Sequence, residues 1–238
     1  MTSTNQKLYT LGKLMVGIGL IGALAFGFAA TASKDTVKAG GMATVDCSTC
    51  RYQANHQTYQ VMVTDSDAGA NKYSAGVMYD TSSAVGINAY VQENKAQAPA
   101  VFGKHATVKT LVTFTRPLSF DAFRKLTGQP GVTVQSFGIR GMDPDGTRST
   151  IFGQPKGADL AGEQVWKDVK GNSNFKGFFS VTATLNAAAY AALNKAPDVF
   201  LVDLMDAVVR DEVTDHYSPE NVQLKSPYWD MEDLGMVK

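Results

Sequence analysis

Apolar residues change their spacing several times along this chain, and each change marks an element. Leu14 to Ala32, LMVGIGLIGALAFGFAATA, runs for 19 residues without a charge. As a helix rising about 1.5 Å per residue it would reach roughly 28 Å, close to the hydrocarbon thickness of a bilayer. Beyond it the chain turns polar, with short alternating runs at Tyr59–Val63, Gly76–Tyr79 and Ile87–Val91. These read as strands, and the last reads equally as a short helix through Glu93 to Gln97. Ala96 to Pro99 reads as a linker.

The second half repeats itself without gaps at an offset of 67 residues. Leu111-Val112-Thr113-Phe114-Thr115 matches Phe178-Phe179-Ser180-Val181-Thr182. Leu118, Phe123 and Leu126 match Leu185, Tyr190 and Leu193, and Pro130-Gly131-Val132 matches Pro197-Asp198-Val199. In each copy a β-rich run meets a residue able to cap a helix, Ser119 or Asn186. A short apolar-striped helix follows, then a proline, then a second strand. Each copy is therefore a β-α-β unit. Asp143-Pro144-Asp145-Gly146 reads as the turn of a hairpin into Arg148–Phe152, and Ala158–Val169 as an inserted helix.

Two such units in series predict an α+β fold, a βαββαβ sandwich that resembles the ferredoxin-like architecture over roughly Thr107 to Glu212. It is preceded by the N-terminal hydrophobic helix and a polar, partly β segment. The organisation expected is an anchor or signal at 1–32, a polar linker and strand-rich segment at 33–103, the duplicated domain at 104–213, and a tail at 214–238.

Flanking residues leave two fates open for the apolar segment. Lys7 and Lys13 before it and Ala30-Thr31-Ala32 after it fit a signal peptide cleaved before Ser33. Its length fits an uncleaved signal-anchor, which would make the protein a single-pass membrane protein. Either fate puts the bulk of the chain outside the cytoplasm. Lys plus Arg and Asp plus Glu are equal at 22 each, so no basic excess points to nucleic acid.

Cys47 and Cys50, in CSTC, are the only cysteines. A thioredoxin-like centre would open a helix after a strand, yet RYQANHQTYQVMV has no helical apolar stripe. Arg51 stands where haem attachment needs histidine, and a zinc site lacks a fourth ligand. The remaining reading is a local disulfide in an oxidising compartment. Thr64–Gly69 has a D-x-D-x-G flavour, but Gly76 stands where a calcium loop closes with glutamate, so it reads as a turn.

Carboxylates cluster at Asp203, Asp206, Asp211, Glu212 and Asp215, the best candidate in the sequence for cation binding or paired acid chemistry. A solvated strand end is the alternative. His56, His105 and His216 lie in segments read as linkers or tails. No G-x-S-x-G, H-E-x-x-H, P-loop or dinucleotide fingerprint is present. The sequence thus predicts no enzyme and no cofactor, but an exported or membrane-tethered module that senses or binds a protein partner. An exported hydrolase or thiol-redox enzyme and a structural component of a surface assembly are the alternatives.

Overall fold

The computed structural model describes residues 46–66, 72–142, 146–156, 167 and 175–237. Leu14–Ala32, the tip of the Asp143–Gly146 turn and nearly all of Ala158–Val169 lie outside these residues, as does most of the D-x-D-x-G stretch. Among the described residues no helix is long and apolar enough to cross a membrane.

In chain order come β1 (Tyr52–Asn55), β2 (Tyr59–Asp65), β3 (Tyr73–Tyr79), α1 (Ala84–Lys104), β4 (Thr107–Leu118), α2 (Phe120–Thr127) and β5 (Val132–Met142). Then follow β6 (Arg148–Gly153), β7 (Gly177–Asn186), α3 (Ala187–Asn194), β8 (Val199–Asp203), α4 (Met205–Val213), β9 (Pro219–Gln223) and α5 (Tyr228–Asp233). The fold is α+β, with a four-stranded sheet ordered β1-β2-β3-β9 and a five-stranded sheet ordered β6-β5-β7-β4-β8.

The repeat units build the larger sheet. Ser119 Oγ accepts the Ala122 N–H at 3.3 Å and Asn186 Oδ1 accepts the Ala189 N–H at 2.9 Å, so both expected caps are in place. The helices they start are eight residues each, and the strands after them begin at Val132 and Val199, again 67 apart. β4 and β7 pair antiparallel at the centre of the sheet, where Thr113 faces Ser180. Those two residues are also repeat counterparts, so a local pseudo-twofold axis passes through their pair. β5 and β6 form the expected hairpin.

One apolar cluster gathers both units. Leu118, Phe123, Phe137, Phe178, Leu185, Tyr190 and Leu193 belong to it, with Leu126 half-buried against it. Gly177 shows how tightly the units close: its φ is +136°, and a Cβ there would lie 2.3 Å from the Leu118 carbonyl oxygen.

The flanking segments build the rest. β1, β2 and β3 form an antiparallel meander, and β9, from the segment read as a tail, joins β3 in parallel. A second cluster, with Tyr59, Val61, Val63, Val77, Tyr90, Met205, Val209 and Val222, fills the space between this sheet, α1 and α4. Ile87–Val91 is helical rather than extended, and Ala96–Pro99 is no linker, because both lie inside the 21-residue α1. The buried positions Ile87, Tyr90, Val91, Asn94 and Val101 follow helical spacing, and Ser83 caps the start by accepting the Gly86 N–H. Pro99 removes one helical hydrogen bond, which packing on both sides outweighs.

Candidate functional site

β8 ends at Asp203, and what meets it there explains why. Its Oδ1 accepts the Met205 N–H at 2.9 Å, a local turn that swings the chain from strand into α4. Asn94 Nδ2 donates to the same oxygen at 2.7 Å, and the Tyr90 hydroxyl donates to Oδ2 at 2.8 Å. Asn94 Oδ1 in turn accepts the Leu204 N–H at 3.1 Å. Asp203 is 1 % exposed, and Tyr90 and Asn94 are fully buried. Burial pushes the Asp203 carboxyl up, opposed by the hydrogen bonds from Met205, Tyr90 and Asn94. Three donors on two oxygens serve the carboxylate form.

The phenol of Tyr90 is itself pushed well above its ordinary value, first by burial and then by the charge of Asp203. Its ring lies parallel to that of Tyr79, with centroids 3.9 Å apart and planes at 1°. The Tyr79 hydroxyl donates to the Lys225 carbonyl. On its other side Tyr90 meets Tyr59 edge-on at 6.4 Å, and Tyr59 is stacked beneath His56 at 4.3 Å. A run of aromatic rings thus leads from half-exposed His56 inward to a buried phenol and its carboxylate.

None of the other acidic residues hydrogen-bonds to Asp203: Asp206, Asp211 and Glu212 are held by partners of their own, and Asp215 is exposed. Asp206, buried at the start of α4, accepts from Arg210 at 2.8 Å and lies 3.7 Å from Lys109. Asp211 takes Lys104 at 3.1 Å and His105 at 2.9 Å. Glu212 accepts the Tyr52 hydroxyl at 2.8 Å and sits 3.1 Å from His56 Nε2. Among the described residues no three of His, Cys, Asp and Glu gather to hold a metal. His56 and His105, expected in linkers, instead tie the β1–β2 turn and the end of α1 to neighbouring residues of α4.

The C-terminal segment docks on the larger sheet. Tyr228 and Met231 are buried, and Phe179 packs against both Tyr228 and Trp229. Arg140 pairs with Glu232, Arg148 with Asp233, and both guanidiniums lie over the Trp229 ring. Trp229 Nε1 donates to Thr150 Oγ1 at 3.1 Å. The hydrogen bond from Arg140 holds the Glu232 carboxyl below the usual range, with burial opposing it.

Cys47 and Cys50 are joined as a disulfide with Cα atoms 5.4 Å apart. They close a turn in which the Cys50 N–H donates to the Cys47 carbonyl, just before β1, and no helix follows.

Sequence reasoning missed Tyr90 and Asn94. The signal available was an asparagine on the apolar face of a helical pattern, a position that requires a buried partner. Arg140 and Arg148 read from sequence as candidate partners of the acidic cluster, but they pair instead with Glu232 and Asp233, more than 80 residues away. Comparison with family models, curated proteins and solved structures finds no match to this chain.

Proposed function

We propose that this chain is an exported or membrane-tethered interaction domain without catalytic activity of its own. The observation that carries this reading is Phe152. It stands 62 % exposed on β6, one of the two edge strands of the larger sheet among the described residues. An edge strand bearing an exposed aromatic offers a partner backbone hydrogen bonds and an apolar anchor together. The uncharged run Leu14–Ala32 and the CSTC disulfide support a place outside the cytoplasm. Within this reading residues 107–203 form a ferredoxin-like unit. The strand sequence β8-β4-β7-β5, with α2 and α3 as the helices of the two repeats, supports that assignment.

Two experiments test the proposal. A reporter fused after Lys238 is expected to be active only outside the cytoplasm, and cytoplasmic activity would refute the location. A photo-crosslinking residue at position 152 in intact cells is expected to give one discrete adduct, suppressed by Thr150→Pro on the same strand. No adduct at 152, or an adduct indifferent to the strand, would refute the interaction surface.

A further inference from the structure

We propose that residues 39–45 of this chain, the stretch just before the CSTC turn, dock across the outer face of the smaller sheet and seal it. The observation that points there is β2, whose residues from Tyr59 to Val63 are all buried. Successive strand residues face opposite sides of a sheet, so a strand buried at every position is covered on both sides. Tyr59, Val61 and Val63 belong to the cluster between the sheet, α1 and α4. Gln60 and Met62 therefore face the other way, yet they are 0 % and 3 % exposed, and Met62 belongs to neither apolar cluster. Lateral neighbours do not account for this. Met62 stands between Gln53 and Gly76, and a Cβ at Gly76 would meet nothing within 4 Å.

The chain itself leads to this face. The Cys47 N–H donates to Gln53 Oε1 at 3.2 Å, and Gln53 is the cross-strand neighbour of Met62 on the same side of the sheet. The turn from Cys47 to Cys50, held shut by the disulfide, thus sets the point from which the preceding residues start. Ala39-Gly40-Gly41-Met42-Ala43-Thr44-Val45 carries no charge and lies between Lys38 and Asp46. Its glycines and alanines let a backbone come close to the sheet. Met42 and Val45 supply apolar side chains for Met62 and for half-buried Met78, which lies opposite Gln60. Four strands about 4.8 Å apart span about 15 Å between the outer two, which an extended chain crosses in about five residues, so the stretch is long enough. Gln60 presents a crossing backbone with an amide that both donates and accepts. With its face sealed, the smaller sheet presents its edge strands, β1 and β9, to a partner.

The test is oxidation of methionines by dilute hydrogen peroxide in the purified full chain, held in detergent and read by peptide mass spectrometry. Met205 and Met231, both 0 % exposed, are internal controls. In the wild type Met62 is expected to oxidise as slowly as they do. Replacing residues 39–45 with a Gly-Ser segment of equal length should raise the Met62 rate about tenfold while both controls stay slow, because thioether oxidation follows exposure. Fast oxidation of Met62 in the wild type, or unchanged protection in the replaced chain, would overturn the proposal. Wild-type protection that is lost on dilution would assign the cover to a second copy and overturn it equally. If the replaced chain misfolds, which oxidation of the controls would reveal, crosslinking decides. Benzoylphenylalanine at position 42, irradiated in the otherwise unchanged full chain, is expected to join β2 or β3 of the same molecule. No adduct, or one formed elsewhere or only between molecules, would overturn the proposal.

Discussion

The two β-α-β units begin alike and end differently. Both place a polar cap before an eight-residue helix, and both send a large aromatic, Phe123 or Tyr190, into one core. Their second strands then diverge. β5 runs for 11 residues and turns into a hairpin, whereas β8 stops after five at Asp203. The residue at the matching position of β5 is Ser136, which pairs with Thr182 in the middle of the ladder. The units differ at this position, Asp203 against Ser136, and the difference decides the outcome. What ends β8 is a buried carboxylate that takes its own Met205 N–H and two side-chain donors from α1, more than 100 residues earlier. Local sequence sets the unit, and a local turn with distant donors sets where it stops.

The largest expected effects come from residues the units share. Leu118→Ala and Leu185→Ala, both fully buried, should each cost about 2–5 kcal/mol in denaturant unfolding. Similar losses at these two repeat counterparts would confirm that they fill one core. A loss below about 1 kcal/mol at either would break the equivalence.

Asp203→Asn probes the difference between the units. It conserves volume but sets an amide N–H₂ against groups that also donate, at an expected cost of about 1–3 kcal/mol. Ser136→Ala, the matching change in β5, should cost well under that by the same unfolding measurement. Equal costs would mean that Asp203 is no special terminus.

The caps come next. Ser119→Ala and Asn186→Ala should each lose about 1 kcal/mol, with similar values because each removes one side-chain acceptor from a free helix N–H.

These units were legible because their signals are local. Ser119, Asn186, the proline stops and the 67-residue offset all lie within the segments they shape. The flanks were not legible for the opposite reason. β9 reads as tail because its partner β3 lies far back in the chain, with Tyr73 opposite Pro219, and its parallel pairing leaves no turn signal. Ile87–Val91 misleads because a run of five cannot separate period 2 from period 3.6; the extension to Asn94 and Val101 does. At the site, Asp203 takes its hydrogen bonds from Tyr90, Asn94 and Met205. Adjacency in sequence put it with Asp206, Asp211 and Glu212, whereas the fold gives each its own cation, phenol or histidine.

Acid should separate the two regions by sign. Glu232 has its carboxyl lowered by Arg140, so its stabilisation is present above the ordinary glutamate range near pH 4 and is lost as pH falls through its folded value. Asp203 is raised, so its contribution grows as pH falls. Acid should therefore loosen α5 before it disturbs β8. The Trp229 indole N–H, bonded to Thr150, should move toward its free NMR shift below about pH 4 while the Leu204 amide remains protected. Glu232→Gln should abolish that acid step, and its persistence would assign the step to another carboxylate.

The most direct test of a duplicated unit with a single core is native-state hydrogen exchange across its central pair. Amides of β4 and β7 flanking Thr113 and Ser180 should exchange only through one common opening, with the same free energy as global unfolding. If one strand exchanges through a separate, lower-energy opening while the other stays protected, the two units fold as independent bodies and the shared core is contradicted.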